Sequence, residues 1–194
     1  MIEHHILIDE QHEGSWGHAS VRASDKRRAP VTRKADFRDA MARLGAAVNI
    51  ITTDGPGGRH GMTASAVCSL TDEPASLAVC INRNSRIHAA IEENGALCVN
   101  VLNGEHEELS GLFARSGLSM AERFANAQWE RLANGTPGLL GALCNLACSV
   151  MSVSEIGTHT MFFCRVEDIR MGPEGHGLVY FGRSYHRLTS APAA

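Results

Sequence analysis

From Ala47 to Phe181 the sequence returns repeatedly to apolar runs of strand length, each cut short by a turn signal or a brief helical stretch. That recurrence constrains the fold more than any other feature. Ala47 to Thr53 is rich in β-branched residues and stops at Asp54-Gly55-Pro56-Gly57-Gly58, a strong turn signal. Residues 61 to 70 predict a second strand and Ser76 to Asn82 a third, with Pro74 breaking the chain between them. Leu97 to Leu102 predicts a fourth. Leu143 to Val153, Thr158 to Ile169 and Gly177 to Phe181 close the series.

The helical segments are short and lie among these runs. Asp36 is placed to cap a first helix, in which Phe37, Met41 and Leu44 share one face before Gly45 stops it. Ser85 is placed to cap a second, with Ile87, Ala90 and Ile91 inward and Gly95 at its end. Glu105 to Ala114 predicts a third, with Leu109, Leu112 and Phe113 inward and acids in the first turns, where the helix dipole favours them. Ser119 and Glu122 have capping-box spacing. Strands without regular βαβ alternation predict a mainly β fold with α elements, an antiparallel barrel capped by short helices.

Composition narrows the function classes. A formal net charge of −3 lacks the basic stripe of a nucleic-acid binder. No apolar run is long enough to span a bilayer. The start, Met1-Ile2-Glu3-His4-His5, lacks the basic and apolar blocks of a secretory signal, so a cytoplasmic location is expected. Five of the six cysteines (Cys68, Cys80, Cys98, Cys148 and Cys164) sit inside apolar runs, with Cys144 at the edge of one. Reduced, buried core thiols are therefore expected, and no metal site, since no close Cys/His pair completes a zinc pattern. Residues 1–34 are polar and predict a flexible extension ahead of a single domain at 35–190. The scattered His4, His5, His12 and His18 read as part of that solvated tail.

Four stretches carry chemical interest. In Cys80-Ile81-Asn82-Arg83-Asn84-Ser85 a strand passes through a polar turn into a helix. Free N–H groups at a helix N-terminus attract anions, and Arg83 and Ser85 add a charge and a hydroxyl. Both a phosphate site and a plain helix cap with an exposed Arg account for it. Gly61 to Ser69 is so rich in small residues that a flat ligand can lie against it, although close strand packing explains the same composition. Gly157-Thr158-His159 opens an apolar strand, where a His can touch a ligand or cap a loop. Arg183-Ser184-Tyr185-His186 follows the last predicted strand and can close over a site or decorate the surface.

Together these stretches, from about Asp36 to Leu188, resemble the flavin reductase family with the split-barrel FMN-binding fold. These are the reductase components of two-component flavin monooxygenases. Phe37-Arg38-Asp39-Ala40-Met41 and the run Gly45 to Gly55 resemble the family's opening helix and first strand, Gly61 to Ser69 its flavin strand, and Asn82-Arg83-Asn84-Ser85 its phosphate turn. Gly157-Thr158-His159 is similar to its Gly-Asp-His nicotinamide motif, with Thr158 in place of the frequent Asp.

The resemblance implies a Greek-key split β-barrel and an NAD(P)H:flavin oxidoreductase. FMN, or FAD, is the implied hydride acceptor and NADH, or NADPH, the donor. Thr63, Ala64, Ser65 and Ser69 are implied to line the flavin ring and ribityl chain, and Asn82, Arg83 and Ser85 to hold the phosphate. His159 is implied to contact the nicotinamide nucleotide, with Arg183 and Tyr185 covering it. No side-chain acid or base is implied in the hydride step, because the cofactors supply the reactive groups. The implied partners are a second copy of the chain and a flavin-dependent monooxygenase fed by diffusible reduced flavin. A non-catalytic flavin or haem carrier on the same barrel is the competing reading, since fold does not fix function. A pyridoxamine-phosphate-type oxidase would need a basic substrate-phosphate cluster that the sequence lacks.

Overall fold

The computed structural model describes residues 32–189. The expected polar extension lies outside the described residues apart from 32–34, as do His4, His5, His12 and His18. The elements run α1 (Lys34–Met41), β1 (Ala46–Ala47), β2 (Asn49–Thr53), β3 (His60–Ala64), β4 (Val67–Asp72), β5 (Ala75–Asn82), α2 (Arg86–Asn94) and β6 (Ala96–Val101). A single 3-10 turn (Gly104–His106) leads into α3 (Glu107–Ala114) and α4 (Met120–Phe124). Then come β7 (Trp129–Arg131), β8 (Pro137–Leu139), β9 (Cys144–Ile156), β10 (His159–Met171), β11 (Gly177–Phe181) and β12 (Ser184–Leu188).

Seven strands form one antiparallel sheet in the order β3-β2-β6-β9-β10-β5-β4. The order is not sequential, because the β9–β10 hairpin inserts between β6 and β5. The edge strands β3 and β4 are nonetheless consecutive, joined by Ser65 and Ala66 alone. Three Cα steps span at most about 11 Å, so the two edges of the sheet are held together and the sheet must curl. Val67 N–H donates to Ser65 O at 3.0 Å and Cys80 N–H to Ala66 O at 2.9 Å, but β3 and β4 share no ladder. The result is a barrel split along the β3/β4 seam, the mainly β split-barrel architecture that the sequence led us to expect. A second sheet, β1-β11-β12, and a β7–β8 ribbon complete the fold.

β2 explains why the Ala47–Thr53 run does not alternate. Every residue of Asn49–Thr53 is buried. Ile51 packs into the barrel with Ile81, Leu97 and Phe162. Ile50 faces the other way, into a second core with Leu102, Phe113, Phe124 and Leu178. A strand buried on both faces reads as a continuous apolar run.

The polar groups this buries converge on Asn100, which is fully buried. Its Nδ2 donates to Ile50 O at 2.8 Å and Thr52 Oγ1 at 3.0 Å. Its Oδ1 accepts from Leu139 N–H at 2.7 Å and Asn145 Nδ2 at 2.8 Å. One side chain thus ties β2, β6, β8 and β9 together with its amide satisfied.

Several expectations are corrected. The 61–70 run is two strands, because the chain crosses the seam at Ser65–Ala66. Arg183 to His186 does not trail the last strand: Ser184–Leu188 is β12, paired antiparallel with β11. Asp36 is not a cap. It sits in the first turn of α1, and Arg33 Nε and Nη2 each donate to its carboxylate at 2.9 Å. The shared face of Phe37, Met41 and Leu44 is exposed. Cys68 is exposed and Cys80 half-buried, whereas Cys98, Cys148 and Cys164 are buried. Burial pushes the Cys148 and Cys164 thiols up to about 12, so they stay neutral. The capping box of Ser119 and Glu122 forms as expected, and Gly95 ends α2 in the left-handed region at φ 66°.

Candidate functional site

Two hollows meet along β3. The first, of about 240 Å³, is lined by Thr63, Ala64 and Ser65, with Val48, Ala114, Tyr180 and Tyr185 around them. Its floor is low because the side chains are small, and its wall is aromatic. Tyr180 and Tyr185 are partners across β11 and β12, with ring centroids 5.3 Å apart. Floor and wall are bonded through α3. Thr63 Oγ1 donates to Ser110 O at 2.6 Å, and Ser110 Oγ lies 2.9 Å from Tyr185 Oη.

The second hollow, of about 580 Å³, shares Ala114 with the first and runs from Gly61 and Met62 of β3 to Ser85, Arg86 and Ile87 at the start of α2. The 113–120 segment and Arg123 close its far side. Gly61 is required here: a Cβ would stand 2.6 Å from Phe113 Cε1. Ser85 occupies the N-cap position of α2 but makes no side-chain cap bond. Its hydroxyl donates backwards to Asn82 O at 2.6 Å. The first-turn amides of Arg86 and Ile87 have no intrahelical acceptor, so this N-terminus keeps its capacity for an anion. That observation favours the phosphate account of the turn over the plain-cap account. Arg123 is buried, donating through Nη1 to Phe113 O at 2.8 Å and through Nη2 to Arg115 O, while its Nε is buried without a partner.

The Gly157–His159 turn abuts the phosphate-type turn. Asn82 and His159 are direct ladder partners of β5 and β10, and Arg83 N–H donates to Thr158 O at 3.0 Å. Gly157 takes the left-handed region at φ 59°, and Thr158 Oγ1 lies 2.9 Å from His159 Nδ1. The hydroxyl therefore contacts the imidazole at the position where the resembling motif carries a carboxylate. Arg83 does not stand free over its turn. Nη1 donates to Glu155 Oε2 at 2.5 Å and Nη2 to Gly157 O at 2.7 Å.

The fold thus gathers Thr63, Ala64, Ser65 and Tyr185 in one hollow. Asn82, Arg83, Ser85 and His159 form a neighbouring cluster, and Ser85 opens into the larger hollow. Ser69 and Arg183 join neither. Ser69 lies exposed on β4, paired with Leu77. Arg183, at φ 66° in the β11–β12 turn, is ion-paired with Asp39. Arg86, Arg115, Arg123 and Tyr180 line the hollows without having been singled out in sequence. Only Tyr180 carried a signal, as an aromatic in a predicted strand beside Tyr185. The arginines come from segments that no local pattern brings together.

The flavin reductase like domain model matches residues 41–189. The chain is 52% identical over 163 residues to the FMN reductase (NADH) RutF of Variovorax paradoxus (strain S110), covering 84% of this chain and 90% of that protein. It is 51% identical over 160 residues to the protein of the same name from Serratia proteamaculans (strain 568), covering 82% and 91%. Among solved structures, flavin reductase PheA2 superposes with a TM-score of 0.73 at 30% identity, covering 82% of this chain and all of that one. A family model over most of the chain and relatives at about half identity along nearly their whole length show that the chain belongs to the flavin reductase like domain family.

Proposed function

We propose that this protein is an NADH-dependent flavin reductase that reduces FMN and supplies the reduced flavin to a partner monooxygenase. The observation that carries the reading is the pair of adjoining hollows along β3, one low-floored and the other opening onto the uncapped start of α2. Their shape and donors fit a flat ring joined to a phosphate. Gly61 lets the Phe113 ring pack directly on β3 beside the hollows, since a Cβ there would stand 2.6 Å from it. FMN matches the hollows with its single phosphate, and the relatives' names point the same way. FAD is the second candidate acceptor.

Flavin, if held here, would supply the redox chemistry as acceptor of a hydride from a dihydronicotinamide. The residues of this chain bind and orient. Thr63, Ala64 and Ser65 would keep the floor low, leaving room for the flavin ring and the nicotinamide to lie against each other. Backbone N–H groups of this stretch serve as donors where negative charge develops on the ring. Ser110 fixes the Tyr185 hydroxyl at the wall. The Asn82–Ser85 turn and the first amides of α2 take the phosphate. His159, held by Thr158, contacts the nicotinamide nucleotide.

The protein works as a homodimer in this reading. Met151, Val153 and Ile156 on the outer half of β9 are exposed apolar residues suited to covering by a second copy. Light scattering after gel filtration reads that state directly. The function is tested by anaerobic NADH oxidation with FMN, with FAD and without flavin. NADH oxidation that needs added flavin and is faster with FMN is expected. A protein that binds flavin yet shows no turnover with NADH or NADPH would overturn the reductase reading.

A further inference from the structure

We propose that Arg83 is a positioning residue for the nucleotide half of the site: its guanidinium, through Glu155 and the Gly157 carbonyl, fixes the turn that presents His159. The inference rests on the reductase reading for its kinetic consequence, and on the geometry alone for its structural one.

Strand pairing holds Ile156 and His159, which leaves Gly157 and Thr158 as the two turn residues outside the ladder. Within the single chain Gly157 and Thr158 are exposed, and Gly157 brings no side chain to pack. An exposed glycine-containing hairpin end samples many conformations unless something restrains it. Arg83 restrains it at three points. Its backbone N–H donates to Thr158 O, Nη2 to Gly157 O, and Nη1 to the carboxylate of Glu155. A planar guanidinium holding two acceptors in a fixed fork sets direction as well as distance, which a lysine ammonium does not. The three contacts span residues 155–158, immediately before His159.

The same engagement bears on the flavin half. A guanidinium bonded to Glu155 has its charge largely matched, so the anion-attracting element of the Asn82–Ser85 turn is the start of α2. The two halves then meet at one residue: the backbone of Arg83 belongs to the phosphate turn and its side chain to the nucleotide turn.

The experiment compares wild type with Arg83→Ala, Arg83→Lys, Glu155→Gln and the double variant Arg83→Ala/Glu155→Gln. The readouts are KM for NADH, kcat, FMN affinity by fluorescence quenching, and hydrogen exchange of the 155–160 segment by mass spectrometry. Arg83→Ala and Glu155→Gln each raise KM for NADH roughly threefold to tenfold, with kcat and FMN affinity near wild type. Arg83→Lys does not restore KM. The double variant is no worse than the poorer single one, because both break the same link. Exchange in 155–160 speeds up in all four variants while thermal stability holds, since an exposed ion pair contributes little to global stability. Unchanged exchange in Glu155→Gln and Arg83→Ala overturns the inference, whatever the activity. So does a loss of FMN affinity in Arg83→Ala that Arg83→Lys repairs and Glu155→Gln does not reproduce, which would make Arg83 a phosphate ligand only. A wild type without NADH turnover but with the exchange differences intact would remove the reductase reading and leave the turn's dependence on Arg83 standing.

Discussion

Asn100 and Arg83 each tie together segments distant in sequence, one in a dry interior and the other in water. Asn100 bonds to β2, β8 and β9 from β6, with no exposure to solvent. Arg83 bonds to the end of β9 and the turn after it, and both it and its partner Glu155 are substantially exposed. The chemistry is alike, amide or guanidinium donors against oxygen acceptors, but the consequences differ. In the interior a lost partner leaves its group with no water to replace it. At the surface water replaces the partner, and only the geometry is lost. The barrel side of this protein therefore holds the fold, and the turn side is free to be specialised for ligand.

The strongest way to break that contrast is Asn100→Leu. It strands Leu139 N–H and takes one bond each from Ile50 O, Thr52 and Asn145. Thr52 keeps Pro137 O as a side-chain partner and Asn145 keeps Leu139 O. The substitution is expected to cost roughly 3 kcal/mol. Urea unfolding reads this. A loss below about 1 kcal/mol would mean that water reaches the site and that the interior is not dry. Next is Gly61→Ala, whose Cβ would press on Phe113 at 2.6 Å. Phe113 is itself wedged against the Phe124 and Trp129 rings. Overpacking of this kind costs about 1–3 kcal/mol, and FMN titration of the same variant should show weakened binding. Unchanged stability and affinity would show that Phe113 yields and that the hollows do not depend on a glycine there.

His159→Ala sharpens the other side of the contrast. It should leave urea stability within about 1 kcal/mol of wild type, because His159 sits half-buried at the very start of β10, beside the exposed turn. It should raise KM for NADH by roughly tenfold with kcat little changed. A large fall in kcat at unchanged KM would instead put His159 in the hydride step. The smallest expected effect concerns His106, between the 3-10 turn and α3. Burial lowers its pKa, partly offset by the neighbouring Glu105 carboxylate, and its Nδ1 is buried without a partner. A histidine with a depressed folded pKa contributes stability above its unfolded value of about 6.5 and loses it as pH falls towards the folded value. His106→Gln should therefore flatten the fall in stability below about pH 6.5. An identical pH profile in the variant would assign the acid sensitivity to other groups.

Much of the fold was legible. The Ala47–Thr53 run, its glycine-rich stop, the α2 boundaries at Ser85 and Gly95, and the capping box at Ser119 are local signals whose causes act within a few residues. The seam was not. Residues 61 to 70 look like one strand because their composition is uniform, and only the curl of the sheet requires a break at Ser65–Ala66. β7, β8 and β12 were missed because strands of three to five residues beside turns carry little periodicity. Of the residues singled out by motif, Thr63, Ala64, Ser65 and Tyr185 line one hollow, and Asn82, Arg83, Ser85 and His159 cluster beside the other. Ser69, paired with Leu77 on β4, and Arg183, ion-paired with Asp39, lie apart from both groups within the single chain.

The sequence by itself determined the β-rich class, most element boundaries and the family, because propensity, turn chemistry and motif order are written within short windows. Tertiary structure alone decided which sheet edges meet, how the hollows along β3 adjoin the start of α2, and what Arg83 holds. Those outcomes depend on contacts between residues such as Arg83 and Glu155, 72 positions apart, where the chain's own spacing imposes no geometry. Only closure of the barrel brings such groups within hydrogen-bonding reach.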